Sequence, residues 1–178
     1  GGDGVAFSGN AYVAATDASR AEYAPLAAAT TYDLYVDTPN DILLIDFQMD
    51  LRRGTIWQDT IAENAYAPSH SKFKAANPAA VVNWPAIHAD TWVGTPGFTA
   101  AADDTPFLGP AMVTHFDTNN NGAQQRFQFA RITLLGGVGE HEATFKGSIQ
   151  VADPAGPITQ PFSFCLGCVP ESGTMGLL

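Results

Sequence analysis

Basic residues are scarce in this sequence, and lysine is the scarcest of them. Eight Lys and Arg stand against eighteen Asp and Glu, which gives a formal net charge of −10. Nucleic acids and anionic membrane surfaces are bound through basic patches, so this composition excludes both as partners. No apolar run is long enough to cross a bilayer, and we therefore expect no membrane span in this chain.

Charged residues of either sign are also few, at 15% of the 178 residues against about 25% in ordinary soluble domains. Thr, Asn, Gln and Ser occupy polar positions instead, alongside 17 Gly and 12 Pro. This composition is typical of short strands joined by tight turns, and it is common in secreted β-proteins. The length suits one domain with a sizeable core.

Period-two alternation of apolar and polar residues is the strongest pattern in the chain, and it indicates half-buried strands. Turn clusters rich in Gly, Pro, Asn and Asp separate the alternating segments. The turn at Gly136–Glu140 predicts a hairpin between its two flanking strands. In chain order, strands are predicted at Val5–Ala14, Thr30–Val36, Ile42–Leu51, Arg126–Leu134, Glu142–Val151 and Gln160–Leu166.

Two segments depart from this pattern. A helix is predicted at Asp17–Ala29, where Pro25 limits its length. The segment Gln58–Pro110 is predicted to be one long loop excursion with a short strand at Thr91–Val93 and a helical turn near Ser71–Ala76. We therefore predict an all-β protein, an antiparallel two-sheet β-sandwich or jelly roll with at most one or two short helices, formed as a single domain by residues 1–168.

The only two cysteines, Cys165 and Cys168, form a Cys-x-x-Cys motif. A redox motif of this kind belongs in a βαβ setting, which is not predicted here. A zinc site needs two further ligands, and the four histidines show no paired spacing. A short disulfide at the end of the last strand is the favoured interpretation, and it implies an oxidising compartment.

The last ten residues, 169–178, begin with Val169, Pro170 and Glu171. This tail resembles the PEP-CTERM sorting signal of exported bacterial proteins, although Ser172 replaces the second Pro of that motif. Blocks such as Tyr32–Tyr35 resemble segments of uncharacterised proteins of this class. The resemblance implies export and an extracellular or bacterial cell-surface location, and it implies no enzymatic reaction.

The turn Asp117–Gly122 matches the first half of a calcium loop, with oxygen ligands at Asp117, Asn119 and Asn121 and a Gly at the sixth position. Position twelve is Gln128 rather than a bidentate Glu, so an ordinary Asn/Gly turn is the alternative. Calcium is the one candidate ion, and no other cofactor is expected.

Three tryptophans, Trp57, Trp84 and Trp92, lie in or beside the long excursion. Exposed aromatic rings that stack on sugars are one interpretation, which makes a polysaccharide a candidate partner. Filling of the core by the same rings is the alternative.

No arrangement of catalytic residues is recognisable. Carboxylates such as Asp46, Asp50, Glu140 and Glu142 alternate outward on predicted strands, where a solvated charge is the default, and no Gly-x-Ser-x-Gly elbow occurs. We therefore expect no enzyme. The primary hypothesis is an extracellular structural subunit that assembles with copies of itself into a filament, layer or matrix. The alternative is a secreted carbohydrate-binding or adhesion module.

Overall fold

The strands and helices of this chain come from a computed structural model that describes residues 4–58, 78–94, 111–117, 120–137 and 139–168. The strands are β1 (Ala6–Tyr12), β2 (Ala29–Thr38), β3 (Ile42–Arg53), β4 (Thr55–Ile56), β5 (Trp92–Val93), β6 (Ala111–Asp117), β7 (Gln124–Leu135), β8 (Glu142–Val151) and β9 (Ile158–Leu166). The helices are α1 (Asp17–Glu22), α2 (Pro78–Asn83) and two 3₁₀ helices, Ala24–Ala28 and Pro85–Ala89.

The strands form two antiparallel sheets. In the first sheet the order is β1–β2–β7, and the short strands β4 and β5 both pair with the far side of β7. In the second sheet the order is β6–β3–β8–β9. The prediction of an all-β sandwich with no more than two short α-helices is confirmed for the described residues.

The inner faces of both sheets pack into one core because apolar residues alternate along the strands as the sequence predicts. Phe129, Ile132 and Leu134 line the first sheet, and Phe145 and Ile149 line the second, each almost fully buried. Burial of such a side chain contributes about 1.5–3 kcal/mol relative to leaving it in water. The register between paired strands is therefore set by these apolar residues, because a slip by one residue would turn all of them to the outer face of the sheet.

The predicted hairpin at Gly136–Glu140 is wrong. The strands on either side of it, β7 and β8, belong to different sheets, so this turn carries the chain from one layer of the sandwich to the other. The true hairpin is the turn 153–157 between β8 and β9, where the Asp153 carboxylate accepts from the N–H of Ala155. Both turns contain the residues that reverse a chain, and only the packing of the sheets distinguishes them.

The predicted helix Asp17–Ala29 is divided. α1 begins after Thr16, whose side chain accepts from the N–H of Ser19 in a capping box, and it ends at Glu22. Pro25 lies in the 3₁₀ helix that follows, because its ring and missing N–H do not suit a continuing α-helix. The helical turn predicted near Ser71–Ala76 lies outside the described residues.

A second apolar cluster covers part of the outer face of the first sheet. It is formed by Leu26, Ala29, Trp57, Ala86 and Ala89, which come from the two 3₁₀ helices and the strand ends. The buried Thr91 fixes this cover, because its hydroxyl donates to the carbonyl of Trp57 and accepts from the N–H of Thr133 on β7. The helical segments thus form a partial third layer over the first sheet.

Candidate functional site

The three tryptophans do not form an exposed binding surface. Trp57 is 5% exposed and packs against the ring of Tyr23, with the ring centroids 5.7 Å apart. Trp92 is 8% exposed, and Trp84 is half-buried. Stacking on a sugar requires a free ring face, so for Trp57 and Trp92 this burial supports the alternative interpretation, in which the rings fill the core.

The residues proposed for calcium are described only in part. The Asn121 amide accepts from the Ile42 N–H at 2.9 Å and donates to the Ile42 carbonyl at 2.8 Å. The Asp41 carboxylate also accepts from the N–H of Gly122. These bonds join the β2–β3 turn to the chain before β7. The side chain of Asp117 and all of Asn119 lie outside the described residues, and calcium binding stays a prediction.

A row of polar side chains crosses the outer face of the first sheet. Directly paired positions place Asn10 of β1 beside Asp33 of β2, Asp33 beside Arg131 of β7, and Arg131 beside Trp92 of β5. Arg131 donates two bonds to the Asp33 carboxylate, from Nε at 2.8 Å and from Nη2 at 3.1 Å. A third bond runs from Nη1 to the carbonyl of His88 at 2.8 Å. We call Asn10, Asp33, Arg131 and Trp92 the polar row.

The ion pair in the polar row is shielded from water, since the Arg131 side chain is 15% exposed and that of Asp33 is 8% exposed. Burial opposes the charge of Arg131, but the bonds to Asp33 outweigh it and raise the pKa of the guanidinium. The pKa of the neighbouring Tyr12 is also raised, mainly by burial; the charge of Arg131 opposes this rise and Asp33 adds to it. The Arg131 guanidinium is therefore charged and the Tyr12 phenol is neutral at neutral pH.

Two polar atoms in the polar row have no hydrogen-bond partner among the residues that the structure describes. They are Oδ1 of Asn10 and Nε1 of Trp92, both buried and at opposite ends of the ion pair. A buried donor or acceptor without a partner costs about 1–3 kcal/mol, so natural proteins retain few of them. These two atoms, one acceptor and one donor, lie on the same face of the first sheet.

One lateral side of the sandwich brings together two edge strands, β1 and β9. Phe7 of β1 lies over Phe162 of β9, with the ring centroids 4.7 Å apart. Phe162 is followed by Phe164 at 5.9 Å, and Phe164 stacks on Phe145 at 4.9 Å. The seam between the two sheets is therefore closed at this side by half-buried aromatic rings.

The cysteines lie at the end of β9 beside the start of β8. Cys165 and Cys168 lie at disulfide distance, as predicted, with their Cα atoms 5.7 Å apart. The Glu142 carboxylate lies next to them, with Oε1 3.1 Å from Sγ of Cys168. The tail residues Val169, Pro170 and Glu171 are outside the described residues, so the resemblance to a sorting signal stays a prediction.

Sequence reasoning missed the polar row altogether. Asp33 and Arg131 sit at outward positions of alternating strands, where charged residues are ordinarily solvated. The signal that was available is weak: an Arg and an Asp each lie between apolar neighbours in a chain with few charges. Their pairing becomes visible only from the register between β2 and β7.

No protein family, curated protein or solved structure matches this chain. None of the described helices is both long enough and apolar enough to span a membrane. Function is therefore inferred from the geometry of the edge strands, the polar row and the cysteine pair.

Proposed function

We propose that this protein is a non-enzymatic, extracellular structural subunit that assembles with copies of itself through the edge strand β1. The observation that carries the proposal is that β1 is an edge strand of the first sheet. Among the described residues only β2 pairs with β1, and no described strand uses the main-chain donors and acceptors on the other side of β1.

Strand β1 lacks the charged residue, the proline and the bulge that commonly protect an edge. Its sequence, from Ala6 to Tyr12, contains neither a charged residue nor a proline. Its seven pairs with β2 run without a register shift, so no bulge turns the edge away. Natural proteins protect long edges with such features because an unprotected edge pairs with another chain.

The neighbouring edge β9 provides an internal comparison. Pro161 lies in the middle of β9, where it removes a main-chain donor, and prolines in sheets are found on outward-facing edges. The second sheet is thus protected at the lateral side where the first sheet is open. This difference supports specific pairing through β1.

A second copy of this chain is a suitable partner for β1, because β1 contains no charged residue although the whole chain carries a net charge of −10. Antiparallel pairing of β1 with β1 of another copy places neutral strand against neutral strand and is two-fold symmetric. Such a contact joins two first sheets into one continuous sheet. Further contacts between these pairs then extend the filament, layer or matrix.

The test compares assembly of the full chain with that of two edge variants. Ser8→Lys introduces a charge at an exposed position of β1, and Thr159→Lys introduces the same charge at an exposed position of β9. We expect ordered assemblies in negative-stain images and a larger species in light scattering for the wild type and Thr159→Lys. Ser8→Lys should be monomeric. Monomeric wild-type protein, or equal assembly of both variants, contradicts the proposal.

The second candidate function is a secreted carbohydrate-binding or adhesion module, and the polar row favours it. Asn10 Oδ1 and Trp92 Nε1 are both buried, so a sugar has to displace the cover over them before its hydroxyl groups can pair with these two atoms. Trp92→Phe removes the donor and keeps an aromatic ring, while Trp57→Phe makes the same change in the second apolar cluster. Affinity electrophoresis on a polysaccharide panel should show retardation that only Trp92→Phe abolishes. Equal retardation of both variants excludes this role for the row.

A further inference from the structure

Three side chains that bind metals in other proteins converge where β8 begins and β9 ends. One ligand atom from each of Glu142, Cys165 and Cys168 lies within 4.8 Å of the other two. All three residues are half-buried. In this structure the two sulfurs are paired in the disulfide. Once that bond is opened, they need to separate only to roughly 3.8 Å, the distance between two sulfurs bound to one zinc ion, for the sulfurs and the Glu142 oxygen to form three corners of a tetrahedral site.

The turn that carries the two cysteines is held rigidly. Gly167, between them, has φ +78°, and its Cα packs so closely on His141 that a Cβ would lie 2.6 Å from the ring. His141 is fully buried, its Nε2 is bonded to the Tyr32 hydroxyl, and its Nδ1 lies 3.1 Å from the carbonyl of Gly136. The cysteine turn therefore rests on a fixed core residue rather than on a mobile surface.

The carboxylate is also held in place. Glu142 lies 3.6 Å from the guanidinium of Arg53 and 4.0 Å from that of Arg52, and its own side chain is 19% exposed. Partners outside the ligand set that orient a ligand are a general feature of metal sites. The two guanidinium groups also compensate part of the negative charge that two thiolates and a carboxylate would bring together.

We propose that, in the dithiol state, Cys165, Cys168 and Glu142 bind one zinc ion, with a water molecule in the fourth position. Thiolate ligands select a soft or borderline cation such as zinc over calcium or magnesium. Binding replaces the two thiol protons, which are released to solvent. The disulfide and the metal exclude each other because both use the same two sulfurs. The proposal does not depend on self-assembly through β1.

The test uses the full chain, reduced with an excess of a phosphine, freed of metal and kept under anaerobic conditions. The phosphine opens the disulfide by donating two electrons to it and becomes the phosphine oxide, with water supplying the oxygen and the two thiol protons. Cobalt(II) is then added as a spectroscopic substitute for zinc. We expect a sulfur-to-cobalt charge-transfer band and tetrahedral ligand-field bands that saturate at one ion per chain, and their loss on addition of zinc.

Variants identify the ligands. Cys165→Ser with Cys168→Ser should abolish the charge-transfer band, and Glu142→Gln should weaken cobalt and zinc binding by about tenfold or more. Glu140→Gln is the matched control, because Glu140 is exposed and lies just outside the cluster. Circular dichroism of each metal-free variant confirms that it is folded.

Three results would overturn the proposal. The first is the absence of a charge-transfer band in the reduced wild type. The second is an equal affinity of Glu142→Gln and Glu140→Gln, which would remove the carboxylate from the ligand set. The third is saturation at one ion per two chains, which would mean that the cysteines of two copies share a single ion.

Discussion

Replacement of Gly167 by alanine tests the support beneath the cysteine turn, and Gly122 provides a matched control. Both glycines have a positive φ, +78° at Gly167 and +68° at Gly122. They differ in the space around them. A Cβ at Gly167 would lie 2.6 Å from both the ring and the carbonyl oxygen of His141, whereas a Cβ at Gly122 would meet nothing within 4 Å.

The expected magnitudes follow from this difference. Each substitution places an L-residue in the left-handed region, at a cost of roughly 1–2 kcal/mol. Gly167→Ala adds an overpacking cost of about 1–3 kcal/mol, because a main-chain oxygen cannot rotate away and the His141 ring is held by Tyr32. We therefore expect Gly167→Ala to lower the free energy of unfolding by roughly 2–5 kcal/mol and Gly122→Ala by only about 1–2 kcal/mol.

Urea unfolding followed by tryptophan fluorescence measures both values under oxidising conditions, where the two cysteines remain paired. The slope of the free energy against urea concentration should be unchanged, since neither substitution alters the surface exposed on unfolding. Equal losses in the two variants would refute the argument that contact with His141 is what requires glycine at position 167.

Two further predictions concern buried polar groups. Arg131→Met should lower the free energy of unfolding by about 3–5 kcal/mol because it leaves the Asp33 carboxylate buried without its partner. Arg20→Met removes the exposed pair with Asp17 and should cost at most about 1 kcal/mol. A similar loss in both variants, measured by urea unfolding, would contradict the burial argument. Burial raises the pKa of Tyr32 above its ordinary value, so its contribution to stability is present below about pH 10 and is lost as the pH rises further. Tyr32→Phe should cost about 1–3 kcal/mol at pH 8 because it leaves Nε2 of His141 without its partner. The stability of this variant should then decline less between pH 9 and 11 than that of the wild type, and parallel declines would disprove this reasoning.

Most of the sheet residues could be predicted from the sequence because their alternation is a local property. The predicted strand Glu142–Val151 has the observed bounds of β8, and Ile42–Leu51 falls within β3. Two strands were missed. A pair of residues such as β4 is too short to show any period, and the sequence of β6, Ala-Met-Val-Thr-His-Phe-Asp, does not alternate regularly. Alternation also cannot show which sheet a strand joins, and for this reason the crossing at Gly136–Glu140 was predicted to be a hairpin.

Aromatic residues illustrate a different limit. A tryptophan that stacks on a sugar and one that fills a core have the same sequence signal, and only the cover above the sheet decides between them. Here the 3₁₀ helices Ala24–Ala28 and Pro85–Ala89 supply that cover around Trp57. These segments are distant from Trp57 in the chain, so its burial is a tertiary property that no local window contains.

The carboxylate beside the cysteines shows why ligand spacing along the chain was insufficient. In the sequence, Glu142 falls at an outward position of a predicted strand, and no further ligand for the Cys-x-x-Cys motif was recognised. The hairpin of β8 and β9 pairs Thr144 with Cys165 and Ala143 with Leu166, which brings Glu142 level with the turn that ends in Cys168. Since register in this hairpin is set by the apolar faces of its strands, the core itself determines which carboxylate meets the two sulfurs. A substitution that shifted this register would separate Glu142 from the cysteines without changing any of the three residues.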